Sequence, residues 1–473
     1  MLIMKKRKQN RFQLISTFLV LILLAAATVL GATQLAIVRE FFTFASTPEP
    51  ANIAINAQGI LGPLPRPWRN LAQGGEEASW QIAPVADKVR ALQPEYIRID
   101  HIYDFYEPVQ GSPGNITFDF TKLDAMLNDI EAVGAKPYIA LSYMPPALGG
   151  RDIVSSPARY EDWQLVVQKT IEHISGKRGT ADVYYEVWNE PDLFGDWKYF
   201  GDKNYLNLYS AAARGAQQAR GVQPFKIGGP ATTGFYKNWY DALAEHVVAN
   251  NLRLDFISWH RYDISLTQFQ EDLLDIRTWA EKYPQLTPTL EFHITEWGHD
   301  SENNDGYDTK YGAAHTVAAA IEMINIVERA FVFEIQDGKD PNNKEYWGRW
   351  GLLTHQDFGS TPKPRYQALR MLDSLGEQRV QLLGKGTFIK AAASKSIDGE
   401  YRVVLANFDV KARNVEQVPI TIYNLEPGNY LVKKEYLGKT GTTESILIDT
   451  KPLQFILPMA PLDIAKVSIM QAI

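Results

Sequence analysis

No cysteine occurs anywhere in the 473 residues. That excludes disulfide bonds, thiolate nucleophiles and every zinc site built on cysteine ligands. Positive charge is in deficit too: 48 Lys and Arg face 55 Asp and Glu, for a net charge of -7. Past the first few residues no basic stripe runs along the chain, which argues against a nucleic-acid partner. Histidine is sparse, and His101, His260, His293 and His299 show no metal-ligand spacing. No metal site is therefore expected. Low-complexity tracts are missing as well.

Aromatic residues, by contrast, are plentiful, with 11 Trp and 23 Tyr. Rings in that number suit a surface that stacks on flat apolar faces such as those of sugars, or a large aromatic core; composition leaves both readings open. The N-terminus is distinctive. Lys5, Lys6, Arg7, Lys8 and Arg11 precede an uncharged run from Phe12 to Val38, long enough to span a bilayer. Residues 1–11 read as a cytoplasmic basic segment and 12–38 as a transmembrane anchor, with the rest of the chain exported. A cleavable signal sequence is the competing reading, although no A-x-A site closes the run.

After a linker (39–51) the chain alternates between apolar strands and amphipathic helices. "NIAINAQG" (Asn52 to Gly59) reads as a first strand, followed by "YIRID", "AKPYIALSYMP", "DVYYEVWNEP", "FKIGGPAT", "LDFISWHRYD", "LEFHITEWG" and "AFVFEIQDG". Leu123, Met126, Leu127 and Ile130 fall on one helical face, and Trp163, Val167, Ile171 and Ile174 on another. Eight such units over residues 52–375 predict a closed (β/α)8 barrel, an α/β TIM barrel. From residue 376 to 473 short alternating strands separated by turn residues predict a small antiparallel β-sandwich.

In such a barrel the working groups project from the C-terminal ends of the strands. Those ends carry Asp100 and His101, Tyr143, Asn189 and Glu190, Thr232, His260 and Tyr262, Glu296 and Trp297, and Gln336 and Asp337. Glu190 closes strand four and Glu296 closes strand seven. Pro191 cannot continue a ladder and is expected to hold Glu190 in extended backbone at the strand tip. Either glutamate alone reads equally well as a strand end or a surface ion pair. Two at the matching end of strands four and seven are the equipment of glycoside hydrolysis, one protonating the leaving oxygen and the other attacking the anomeric carbon. "HDSENNDGYD" (His299 to Asp308) lacks the Gly and Glu of a calcium loop and reads as a solvated loop over the mouth. "GKT" at Gly438 sits in an all-β setting and is dismissed as a phosphate loop.

"VYYEVWNEPDLFGDWKY" and "HITEWG" resemble clan A glycoside hydrolases, and "YIRIDHIYDFY", "LSYMPPAL", "DFISWHRYD" and "WGLLTHQDFGSTPKPRYQAL" are similar to segments of glycoside hydrolase family 39. The resemblance covers roughly residues 52 to 473 and implies a retaining hydrolase acting on an oligo- or polysaccharide without a cofactor. It implies Glu190 as acid/base, Glu296 as nucleophile, Asn189 on the sugar 2-hydroxyl, and His260 and Tyr262 lining the subsite. Arg98, Asp100, Trp297 and Trp350 complete the expected sugar-contacting set. Two departures bear on substrate. The family's Arg-x-His at strand two is here Arg98-Ile99-Asp100, followed by His101, and Phe333 stands where strand eight opens with Trp. The family offers exo-acting β-xylosidases, iduronidases and hydrolases of exopolysaccharide; an endo-acting enzyme and a non-catalytic sugar-binding barrel are the alternative readings.

Overall fold

The structure, a computed structural model, describes residues 48–286 and 288–472. The basic segment and the apolar run at 1–38 lie outside the described residues. Among the described residues no helix is long and apolar enough to cross a membrane.

The strands begin with β1 (Ile53–Pro63), β2 (Asn70–Gln73) and β3 (Tyr96–Ile99), then a small hairpin of β4 (Val109–Ser112) and β5 (Asn115–Phe118). They continue as β6 (Lys136–Leu141), β7 (Val183–Val187), β8 (Phe225–Thr232), β9 (Phe256–Tyr262), β10 (Glu291–Gly298) and β11 (Arg329–Phe333). Eight of these, β2, β3 and β6 to β11, form a closed parallel barrel in sequence order, with β11 pairing back onto β2. The intervening helices, among them Thr121–Ala132, Tyr160–Ile171 and Leu266–Ala280, bury the faces their apolar spacing predicts.

The barrel's first strand is not the one expected. β1 pairs antiparallel with β12 (Gln378–Leu383) and parallel with β15 (Glu416–Tyr423), so it belongs to the C-terminal sheet. Its first five residues alternate between buried and half-buried, as in a strand with one covered face. The barrel position is taken by β2, "NLAQ", whose four residues are all buried but too few to show a period.

The C-terminal part adds β13 (Ile389–Lys395), β14 (Tyr401–Asn407), β16 (Gly428–Tyr436), β17 (Lys439–Ile448), β18 (Leu453–Met459) and β19 (Ile464–Gln471). With β1, β12 and β15 they make one nine-stranded sheet ordered β17-β16-β19-β14-β13-β12-β1-β15-β18. The sheet folds over on itself. Val418, Ile420 and Leu457 from one end share a core with Val432, Val467 and Ile469 from the other. Tyr436 Oη on β16 also donates to the Pro458 carbonyl on β18, at the far end of the order (2.8 Å). The helix Lys310–Glu322 is buried from Gly312 to its end because the folded sheet covers the side turned away from the barrel. That explains its run of Gly and Ala, which lets both layers approach.

Candidate active site

Four barrel strands bring charged side chains to one place above an aromatic floor. β3 carries Arg98, β7 carries Glu186 and leads directly to Asn189 and Glu190, β9 carries His260 and Tyr262, and β10 carries Glu296. Arg98 is the hub. Its Nε donates to Glu186 Oε2 at 2.8 Å, Nη1 to Glu296 Oε1 at 2.9 Å, and Nη2 to Asn189 Oδ1 at 2.6 Å. Burial works against the guanidinium, but Glu186 and Glu296 outweigh it and raise its pKa further, so the cation persists. Asn189 Nδ2 donates to Tyr143 Oη at 2.9 Å, and Tyr262 Oη donates to Glu296 Oε2 at 2.9 Å.

His260 lies between the two carboxylates, its Nδ1 2.7 Å from Glu190 Oε1 and 3.5 Å from Glu296 Oε2. Burial lowers the imidazole pKa, yet Glu296 and Glu190 lift it above the ordinary value. Burial raises the Glu296 carboxyl, as does the charge of Glu190, while His260 and Arg98 pull it back. One ligating atom from each of Glu190, His260 and Glu296 falls within 4.8 Å of the other two. Such a trio has metal-like spacing. A cation there would compete with Arg98 and Tyr262, which already hold the Glu296 oxygens.

The loop that presents Glu190 departs from the extended backbone expected before Pro191. Glu190 has φ +44°, and Trp188 and Ala231 are left-handed as well (φ +76° and +54°). For non-glycine residues this is strained and is kept only where the surroundings enforce it. Here Glu190 N donates to the Ala231 carbonyl, and the Glu190 carbonyl accepts from Leu193 N and Phe194 N. Proline does keep Glu190 out of the helical region, but a turn takes the place of the extended strand tip.

Glu190 and Glu296 open into a cleft of about 980 Å³, which Asn189, Asp100, Tyr262 and Trp350 also line. Three expected sugar contacts do not line it. Trp297 is fully buried and packs edge-on against Phe269 of the helix Leu266–Ala280. Neighbours on a strand face opposite ways, so with Glu296 turned inward Trp297 must face the helix layer. Arg98 and His260 are also fully buried and do not line the cleft. They hold the carboxylates. Gln336 is spent on Gln73, Trp80, Thr354 and Ser360, and Asp337 on the buried Lys363.

Other residues at the site are less marked in the sequence. Glu186 lies in an apolar run on a strand buried on both faces, itself a signal. Gly74 and Gly75 leave room for two rings; a Cβ would sit 2.6 Å from Phe333 and 2.0 Å from His101. Phe333 and Trp350 form one wall, edge to face at 5.3 Å, with Arg349 stacked on Trp350 at 3.4 Å. Ser301 and Glu302 of the 299–308 loop reach the mouth, as expected.

The sequence model of glycosyl hydrolases family 39 matches residues 52–430. The chain belongs to that family. It is a glycosidase, and its substrate is a carbohydrate. Among its relatives, a β-xylosidase of Caldicellulosiruptor saccharolyticus is 26% identical over 342 residues, covering 66% of this chain and 67% of its own length. A β-xylosidase of Geobacillus stearothermophilus is 25% identical over 324 residues, covering 61% and 62%. The chain thus spans about two thirds of the length of these relatives. Among solved structures, the family 39 enzyme of Xanthomonas axonopodis pv. citri aligns with a TM-score of 0.75 at 17% identity, covering 90% of this chain and 98% of that one. At such identity the likeness speaks for the fold, the barrel with its trailing β domain.

Proposed function

We propose that this glycosidase works by double displacement with retention at the anomeric carbon. Glu296 attacks that carbon, while Glu190 gives its proton to the departing glycosidic oxygen. Glu190 then takes a proton from water as the water displaces Glu296 from the glycosyl ester. The observation that carries this reading is the close approach of the two glutamates, whose nearest oxygens lie within 4.8 Å. Retaining pairs stand about 5–5.5 Å apart, whereas inverting pairs leave about 6.5–9.5 Å for a water. Arg98 and Tyr262 fix both oxygens of the nucleophile, so an attacking lone pair is aimed before the sugar arrives. Once Glu296 is esterified its charge is gone, and Glu190 is free to act as the carboxylate of the pair.

The curated relatives are β-xylosidases, which supports a β-glycoside as substrate. The open cleft and its exposed rim residues Leu193 and Phe194 favour a leaving group that is itself a sugar chain. The basic segment and apolar run at the N-terminus support export with the barrel held at the outer face of a membrane.

The test uses Glu296→Gln and Glu190→Gln on 4-nitrophenyl β-glycosides, with the first-formed anomer read by NMR. Loss of the nucleophile lowers kcat by about 10⁴-fold or more. Loss of the acid lowers it by about 10²–10⁴-fold, least with the best leaving groups. An inverted first product, or wild-type turnover in either variant, refutes the mechanism.

A further inference from the structure

Most charged side chains around the cleft are engaged by the protein; the exposed Glu302 at the mouth is left to solvent, and Asp100, beside the catalytic pair, is nearly buried. Arg349 is stacked on Trp350 and ion-paired with Glu76, and Lys339 Nζ is held by Asp357 Oδ2 at 2.6 Å. Glu76 and Glu77 also accept from the backbone N–H groups of Gly338 and Lys339. Asp100 differs. It lines the cleft and is only 7% exposed, yet among the described residues no group donates a hydrogen bond to either oxygen. A nearly buried carboxylate without protein donors is completed only from the cleft it faces, by water or by whatever displaces that water.

The neighbours of Asp100 do not fill the gap. His101 Nδ1 is bonded to Asp104 Oδ2 at 2.7 Å, and its ring is fixed between Phe105 (stacked, 4.4 Å) and Tyr143 (edge-on, 4.5 Å). Arg98 gives its donors to Glu186, Glu296 and Asn189. Position then says which end of the substrate Asp100 meets. Glu190 protonates the leaving group, and Leu193, Phe194 and Thr233 flank it on the strand four and five side of the mouth. Asp100 lies in the opposite sector with Gly74, Phe333 and Trp350, from strands one, two and eight.

We infer that Asp100 accepts hydrogen bonds from the glycone, and that the cleft selects neutral or amino sugars and rejects uronic acids. This rests on the double-displacement reading, which sets the glycone end. The shared chemistry is a donor on the sugar, either hydroxyls or an ammonium group. A sugar carboxylate would add an anion beside Asp100, Glu190 and Glu296, while Lys339, Arg349 and His101 are already engaged by Asp357, Glu76 and Asp104.

The experiment compares the full chain with Asp100→Asn on three matched probes, 4-nitrophenyl β-glucoside, β-glucosaminide and β-glucuronide. In the unaltered enzyme kcat/KM for the glucuronide is expected to fall at least about 100-fold below the best of the others, as like-charge juxtaposition requires. In Asp100→Asn that gap narrows by about 10-fold or more, because one anion is gone and a donor is added. A glucosaminide faster than the glucoside assigns the ammonium group as donor, and the reverse order assigns hydroxyls. Unchanged ratios in the variant, a preference for the glucuronide, or an enzyme inert to all three overturns the inference. Both proteins are also treated with an activated 2-deoxy-2-fluoro glycoside and Glu296 labelling is read by mass spectrometry. Failure of the unaltered enzyme to label strikes the double-displacement reading; normal labelling with unchanged ratios strikes the role of Asp100 alone.

Discussion

Two histidines inside the same barrel are both fully buried, both lie beside glutamate, and titrate in opposite directions. His293, in the lower layer, is pushed down to about 4 by burial, with Arg329 adding to the effect and Glu291 opposing it. His260, in the upper layer, is driven up, because two carboxylates, Glu296 and Glu190, outweigh its burial. The lower layer is a floor of rings: Tyr138 stacks on Tyr184 at 5.2 Å, and Phe256 on His293 at 4.9 Å. Its charges, Glu291 with Lys226 and Arg329 with Glu95, retreat to the rim and balance there. The upper layer keeps its charges at the centre and in excess of one sign. Burial opposes the imidazolium in both layers; the balance of neighbouring charges decides the direction of the shift.

Substituting an arginine in each layer breaks this comparison most severely. Arg98→Met strands the buried Glu186 and is expected to lower the unfolding free energy by about 3–5 kcal/mol, the cost of removing one partner of a buried pair. Arg329→Met loses contacts to Glu95 (half exposed) and to the faces of Tyr96 and Tyr184. That loss is about 1–2 kcal/mol. Denaturant titration of the two variants compares them directly, and equal losses would mean that the upper network is no more demanding than the floor.

The contrast between layers also separates what was legible in the sequence from what was not. Seven barrel strands were readable because a parallel strand covered on both faces is a continuous apolar run. β2 has only four residues, two of them amides, and β1 has the apolar pattern of a barrel strand yet pairs with β12 and β15. β17 is polar and exposed over most of its length, so no hydrophobic pattern announced it. Glu190 and Glu296 stood out as charges ending apolar runs. Arg98 meeting Glu186 across 88 positions is a tertiary fact that no local pattern carries. Trp297 is different in kind: strand alternation alone would have turned it away from the cleft once Glu296 faced in.

A second way to sharpen the contrast is pH. A histidine whose folded pKa is depressed gives stability that is complete above the unfolded value and is lost as pH falls towards the folded one. For His293 that window runs from 6.5 down to about 4, and the loss approaches about 3 kcal/mol. His299, also pushed down to about 4 by burial, adds to the same slope. His260 has the reverse sign, its contribution being present below 6.5 and lost as pH rises through its elevated folded value. His293→Phe should therefore flatten the fall in stability between pH 6.5 and 4, read by denaturant titration across that range. An unchanged slope would show that the floor does not hold this histidine neutral.

The finest test removes one hydroxyl from each layer. Tyr138 Oη meets His293 Nδ1 at 3.2 Å, and Tyr262 Oη donates to Glu296 Oε2 at 2.9 Å. Tyr138→Phe takes a hydrogen bond from a packed floor, costs about 1 kcal/mol of stability, and leaves kcat within about twofold. Tyr262→Phe takes a charge-assisted bond from the proposed nucleophile, where about 1.5–3 kcal/mol is at stake. Expressed in the transition state, that is a loss in kcat of about 10- to 100-fold. Stability should barely move, because Arg98 still holds the other oxygen of Glu296. Measuring kcat and unfolding free energy on both variants gives a crossed pattern if the two hydroxyls divide as argued, Tyr138 serving the fold and Tyr262 the reaction. If Tyr262→Phe lowers stability and spares kcat, the hydroxyl is a structural prop and Glu296 is aimed by Arg98 alone.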